Sequence, residues 1–354
     1  MPKQISIFNH RGGASKTSAI FNLGWMLATK NKKVLLADCD PQCNLTAMVL
    51  SYTGSDNLKT IYDRDGVTSI YEGLRPAFEA IPKIIEPVVC LEVPGNTNLS
   101  LLPGHIALSE FDIPLGAAQN FTDSFATLKN LPGSLRYLLN ETAEKNEIDI
   151  VIVDMSPSLN AINHNLLMTS DYFIISFFPD IFTSMANKSL AKILPLWNSL
   201  AKKLATLPNL IHSSYPYQYN NLKFLGAIFQ NYGTRSWNMP TNDNKQWNAN
   251  IKQWIDELSS SIYQILIPAM SDSGMSLSYE KYKNNNAVPP SPLLQITNFT
   301  NLIKLSRHLR TPVYQLTDKQ LKQTGTDLAK TKTSLEKFSL LFERGAEKIL
   351  GLVS

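Results

Sequence analysis

The feature that most restricts this chain is an apolar strand that empties into a glycine-bearing polar turn and then into a helix. Ile5-Ser6-Ile7-Phe8 reads as the strand, within Lys3–Asn9. The turn follows as Asn9-His10-Arg11-Gly12-Gly13-Ala14-Ser15-Lys16-Thr17-Ser18. Ile20, Leu23 and Leu27 then recur at helical spacing through Lys16–Lys30. A turn so placed presents backbone N–H groups and a helix N-terminus to an anion, and its glycines let the main chain come close. The lysine would neutralise β- and γ-phosphates, and the threonine would place its hydroxyl on Mg²⁺. The common pattern G-x4-G-K-[ST] is not met, because His10 and Ser15 occupy its two glycine positions. The candidate phosphate set is Gly12, Gly13, Ala14, Ser15, Lys16, Thr17 and Ser18. If Ser15 needed a positive φ, its side chain would cost about 1–2 kcal/mol.

The first half of the chain alternates strand and helix signals, the pattern of a mostly parallel twisted sheet with helices on both faces. Val34–Ala37, Ile148–Val153, Tyr172–Phe178, Phe224–Phe229 and Ile265–Ile267 are apolar runs suited to strands buried on both faces. Helical patterns fall near 105–115, 134–146, 159–169, 182–204 and 244–260, while Gly54–Val67, Leu207–Asn221 and Tyr279–Pro292 read as loops. Apolar residues are 44% of the chain and charged residues 18%, enough to bury a core without staples. The longest apolar runs fall well short of the ~18–20 residues of a membrane span, so no membrane partner is expected. Three cysteines, Cys39, Cys43 and Cys90, argue against a disulfide framework or structural zinc and for a reducing cytoplasm.

Two further motifs end strands in acids: Asp38-Cys39-Asp40-Pro41-Gln42 and Val151-Ile152-Val153-Asp154. In a parallel sheet the C-terminal ends of strands share one edge, so Lys16, Asp40 and Asp154 should converge. These residues, with Met155-Ser156-Pro157-Ser158-Leu159 and Phe178–Thr183, resemble the ParA/MinD group of deviant Walker-A ATPases, closest to its partition branch. Asp38–Gln42 matches the family's Asp-x-Asp-Pro-Gln unchanged. The resemblance implies ATP and Mg²⁺ as cofactors. It gives Lys16 to the β/γ-phosphates, Thr17 and Asp154 to the metal shell, and Asp40, assisted by Asp38, to the attacking water. Arg11 stands where the family has a lysine that crosses an ATP sandwich dimer. Asn231 and Pro268 fall where the family contacts adenine, on a weak match. Cys39 and Cys43 flank Pro41-Gln42, but no further thiolates supply the ligands of an iron–sulfur relative.

The net charge of +4 is uneven: residues 301–354 carry +5 and the first 300 carry −1. The tail reads as a helix over Asn301–Arg310 and, after Pro312, a second helix. Its apolar stripe holds Leu328, Leu335, Phe338, Phe342 and Ile349, beside a basic stripe at Lys330, Lys337 and Arg344. The chain is therefore divided into an ATPase domain, 1–300, and a helical extension packed on it, 301–354. With the family reading, Lys304, Arg307, Arg310, Lys330 and Lys337 become candidate contacts to non-specific double-stranded DNA. The expectation is a cytoplasmic, nucleoid-associated ATP-dependent homodimer. A ParB-like or other partner would stimulate its slow hydrolysis, and it would partition or position a plasmid, chromosome region or protein cargo. The competing expectation is a nucleotide-sensing scaffold of a regulatory or defence operon.

Overall fold

A computed structural model describes residues 1–9, 15–54, 62, 66–120, 128–231, 252–297 and 299–354. Among the described residues eight strands form one sheet in the order β3-β4-β2-β5-β1-β6-β7-β8. They are β1 Lys3–Phe8, β2 Val34–Cys39, β3 Leu91–Glu92, β4 Leu99–Leu102, β5 Ile150–Met155, β6 Tyr172–Phe177, β7 Lys223–Asn231 and β8 Leu294–Thr297. Every pairing is parallel except β3 with β4 at the edge. The helices that matter below are α1 Ser15–Thr29, α2 Asn44–Thr53, α3 Ile70–Phe78, α4 Asp112–Asn120 and α5 Leu131–Lys145. After them come α6 Ala161–Met168, α7 Thr183–Leu204, α8 Thr300–His308 and α9 Gly325–Val353.

Alternation along the strands divides the core in two. Leu35, Ala37, Val151 and Val153 pack with Leu74, Leu115, Leu138, Leu166 and Leu190 of α3 to α7. Val34, Leu36, Ile150 and Ile152 face the opposite way and pack with Ile20, Leu23 and Leu27 of α1. α1 is buried all round because α9 covers its far side with Phe338, Phe342, Ala346 and Ile349. Gly345 lets α9 lie against the sheet edge: a Cβ there would come within 2.3 Å of Leu294 Cδ2. Lys30 of α1 ties the surface of this contact by pairing with Glu343 at 2.7 Å and Glu347 at 2.8 Å.

One expected strand is corrected. Ile265–Ile267 lies in a helical run, with a π turn at Ile262–Leu266 leading into Ile267–Asp272. A three-residue apolar run fits a buried helix face as well as a strand, and here Ile262, Leu266 and Met270 recur on one helical face against the core. The described strand after β7 is β8 instead, and β3 and β4 flank the Pro94-Gly95 turn. Tyr279–Pro292, read as a loop, contains a helical turn at Tyr279–Asn284 capped by Ser278.

Candidate functional site

β1 lies between β5 and β6, and chain crossovers leave it in opposite directions, first to β2 and later from β5 to β6. That makes the C-terminal end of β1 the switch point at which open α/β sheets hold ligands. Of the phosphate set, Gly12, Gly13 and Ala14 lie outside the described residues, as do His10 and Arg11. Ser15 is the first residue of α1, a right-handed position that needs no positive φ. Lys16, Thr17 and Ser18 occupy its first turn and are buried.

Register brings the acids to them. Asp38 on β2 stands opposite Asp154 on β5, and Ile7 on β1 is the neighbour of Asp154 on the other side. Lys16 Nζ contacts Asp154 Oδ1 and the Met155 carbonyl. Thr17 Oγ1 donates to Asp154 Oδ2 at 2.9 Å. Asp38 is fully buried, and its Oδ2 accepts from the Thr46 amide at 2.8 Å and from Thr46 Oγ1 at 2.7 Å. Thr46 Oγ1 in turn accepts from the Gly104 amide at 2.9 Å. Asp40 follows β2 and is held by a local turn in which the Gln42 amide donates to its Oδ1 at 3.0 Å. Cys43 closes that turn in the left-handed region, φ 51°.

Three carboxylates thus share a buried edge with one lysine ammonium. Burial and the neighbouring Asp154 push the Asp38 carboxyl up, to about 7. Burial also raises Asp40, against the opposing pull of the Gln42 hydrogen bond and the Lys16 charge. Burial pushes the Cys43 thiol up to about 12 and raises Cys39 as well, so neither offers a thiolate at neutral pH. The donors suit a polyphosphate with Mg²⁺. A hydroxyl and a carboxylate one hydrogen bond apart can share a small octahedral cation that keeps waters and phosphate oxygens as its other ligands.

Motif reading did not find Thr46 or Gly104. They lie 8 and 66 residues beyond Asp38 and have no chemical mark of their own; the sheet edge assembles them. A Cβ on Gly104 would sit 2.9 Å from the Asp38 carbonyl oxygen and 3.0 Å from its Cγ. Pro268 is placed away from the site. It lies in the helix that leads down to Met275, whose carbonyl accepts from the Phe224 amide at the opposite, N-terminal end of β7. Asn231 ends β7 at the site edge; its side chain lies outside the described residues.

The candidate DNA residues separate too. Lys304, Lys330 and Lys337 are exposed, with Lys330 only 4.0 Å from Asp327. Arg310 is exposed in a left-handed turn after α8. Arg307 instead reaches α1, where its Nη2 donates to Ser18 Oγ at 3.2 Å.

A parallel sheet with a lysine–threonine pair opening the helix after its switch-point strand, and acids closing the two strands beside it, defines a P-loop nucleotide-binding fold. The chain belongs to the AAA-domain family, whose model matches residues 2–207, and within it to the ParA-type P-loop ATPases. It is 27% identical over 238 residues to a ParA family protein of Chlamydia pneumoniae, covering 62% of this chain and 82% of that protein. It is 30% identical over 175 residues to the sporulation initiation inhibitor protein Soj of Bacillus subtilis, covering 49% of this chain and 58% of Soj. Its fold is similar to that of pNOB8 ParA bound to nonspecific DNA, with a TM-score of 0.54 at 16% identity over 100% of this chain and 99% of that one. No helix among the described residues is long and apolar enough to cross a membrane.

Proposed function

We propose that this chain is a Mg-ATP-dependent switch that dimerises, binds DNA without sequence preference and positions a cargo with the help of a stimulating partner. The observation that carries the reading is the junction of Lys16, Thr17 and Asp154 at the sheet edge, with Asp38 and Asp40 beside it. Relatives named for chromosome partition, and a structural neighbour solved on nonspecific DNA, support the same reading.

Each residue has a definable task. Lys16 now neutralises Asp154 and is positioned to exchange that partner for β- and γ-phosphate oxygens. Thr17 and Asp154 hold the metal shell. When bound, Mg²⁺ offsets the charge that spreads over the transferred phosphoryl group. Asp40, just past the end of β2, orients the attacking water and accepts its proton, an acceptor role that a raised carboxyl suits. Asp38, locked by Thr46, positions Asp40: its Oδ1 accepts from the Asp40 amide at 3.4 Å. Arg11 takes the place of the signature lysine and supplies a permanent cation to a phosphate across the dimer. Lys304, Lys330 and Lys337 offer an exposed basic surface for DNA phosphates, with Arg310 beside them. The protein then works in the cytoplasm on the nucleoid, and its partner is ParB-like or its functional equivalent.

The test is Mg²⁺-dependent ATP turnover with DNA present, alongside dimerisation, for wild type, Lys16→Ala and Asp40→Ala. Lys16→Ala is expected to lose nucleotide binding and remain monomeric. Asp40→Ala is expected to bind ATP, dimerise and stay dimeric on DNA. Identical behaviour of the two variants would overturn the division of roles. ATP binding without turnover in wild type, with DNA and every partner candidate, would leave a nucleotide-sensing scaffold as the better description.

A further inference from the structure

Arg307 is set apart from the other basic residues of the C-terminal extension by what it touches. It lies 289 residues from Ser18 in sequence, yet its Nη2 donates to Ser18 Oγ at 3.2 Å. Ser18 is buried in the first turn of α1, two residues after Lys16. The contact is braced on both sides. Tyr52 of α2 and Ser306, the residue before Arg307, share a hydroxyl–hydroxyl hydrogen bond of 3.1 Å. Tyr314, beyond α8, donates to the Asn22 carbonyl of α1 at 3.1 Å. Leu302 is buried in the same core as α1. The guanidinium is thus delivered to α1 by packed structure on each side of it.

Charge and hydrogen bonding indicate what it is delivered for. Lys16 is matched by Asp154, whereas no carboxylate among the described residues pairs with Arg307. A guanidinium carries five N–H donors, and the described contact uses one of them. Ser18 Oγ spends an acceptor lone pair on Arg307, which leaves the hydroxyl proton available to an oxygen on the phosphate side. An unmatched, forked cation beside the first turn of a phosphate-binding helix is an arrangement that recognises a polyphosphate oxygen.

We propose that Arg307 is a nucleotide ligand supplied in cis by the C-terminal extension. It holds the Ser18 hydroxyl for the phosphate chain and gives its remaining N–H donors to the same phosphate. The inference rests on the ATP-binding reading above and moves Arg307 out of the DNA-contact set. It also makes nucleotide binding and the docking of α8 mutually dependent, because a ligand that requires Arg307 in place favours the docked helix. Lys304 rides on that helix, so part of the basic surface would be fixed by the same event.

The experiment measures equilibrium binding of fluorescent ATP and ADP to the full chain for wild type, Arg307→Ala, Arg307→Lys and Ser18→Ala. It adds melting with and without ATP, and DNA affinity against salt at saturating ATP. Arg307→Ala is expected to weaken both nucleotides about 10- to 100-fold, the range for losing a charged hydrogen-bond donor. Its ligand-free melting point should stay near wild type because the side chain is exposed, while the ATP-induced rise shrinks. Arg307→Lys should recover part of the affinity and Ser18→Ala should lose part. The salt slope of DNA binding should not change. Unchanged nucleotide affinity in both Arg307 variants, with the DNA salt slope reduced by about one, would overturn the inference and return Arg307 to DNA. If Arg307→Ala fails to fold, Arg307→Lys decides: a full ATP-induced melting shift in it overturns the proposal. A wild type that binds no nucleotide overturns the ATPase reading and this inference together, an outcome distinct from a binding wild type with indifferent variants.

Discussion

The two edges of the central sheet both bury charge, and they do so in opposite ways. At the C-terminal edge Lys16 pairs with Asp154, and Asp38 and Asp40 lie buried beside that pair. At the N-terminal edge Arg136 of α5 is 2% exposed, and each of its contacts goes to a group that complements it. Nη1 donates to Gln4 Oε1 at 3.0 Å and to the Thr169 carbonyl at 3.1 Å, and Nη2 pairs with Asp171 at 3.1 Å. Asp171 also accepts from the Gln4 amide at 2.8 Å, which ties β1 to the start of β6. Among the described residues, one edge matches its arginine to a carboxylate, while the other gathers three carboxylates beside Lys16, as a site built to receive a metal cation would. Balance marks the structural edge, and imbalance marks the functional one.

The largest expected effect breaks the balanced edge. Arg136→Leu strands Gln4 and the half-buried Asp171 without their cation and should cost about 3 kcal/mol, the low end for breaking a buried pair, because Asp171 keeps some solvent and the Gln4 amide. Arg136→Lys keeps the charge but cannot reach three partners, and should fall between. Urea melts check both, and nucleotide affinity of the folded fraction should be unchanged. A loss of affinity without a loss of stability would mean that this edge communicates with the site.

A smaller effect is expected from crowding the unbalanced edge. Gly104→Ala drives a methyl group against the Asp38 carbonyl and against its carboxylate, which Thr46 holds in place. Overpacking of this kind costs about 1–3 kcal/mol. Displacing the carboxylate that positions Asp40 should lower turnover about 10- to 100-fold. Single-turnover rates against nucleotide affinity separate the two, with the rate falling much more than the affinity. Equal losses would show that Gly104 serves binding rather than the geometry of Asp38.

The same contrast explains what could be read from the sequence. Lys16, Thr17, Asp38, Asp40 and Asp154 are each adjacent to a strand end, so strand patterning alone carries them to one edge. β1, β2, β5, β6 and β7 were all legible as apolar runs. Arg136 was not, because it sits inside an ordinary amphipathic helix and its partners come from β1 and from the chain between α6 and β6. The short edge strands β3 and β4 carry too few residues for a period. Arg307 read as one more surface cation, since only tertiary packing brings α8 to α1. Ile265–Ile267 reads as a strand for the converse reason: the local run is apolar, and the demand of the core for a helical face overrides it.

The smallest effect sharpens the comparison by relieving the unbalanced edge. Burial and Asp154 raise the Asp38 carboxyl to about 7, against 3.8 ordinarily. A folded-state value above the unfolded one means that the folded chain binds the proton more tightly. That contribution to stability is full below about pH 4 and is lost as pH rises through the raised value. Asp38→Asn cannot ionise, and its amide oxygen can still accept from Thr46. It should therefore match wild type near pH 4 and exceed it by about 1–2 kcal/mol at pH 8, once lost hydrogen-bond strength is set against the relieved charge. Turnover should fall in the same variant, because the carboxylate that positions Asp40 is gone. Denaturant melts across pH 4–8 read the difference. An Asp38→Asn protein less stable than wild type at pH 8 would show that Lys16 and Thr46 already compensate Asp38, and that the surplus charge at this edge rests on Asp40 and Asp154 alone.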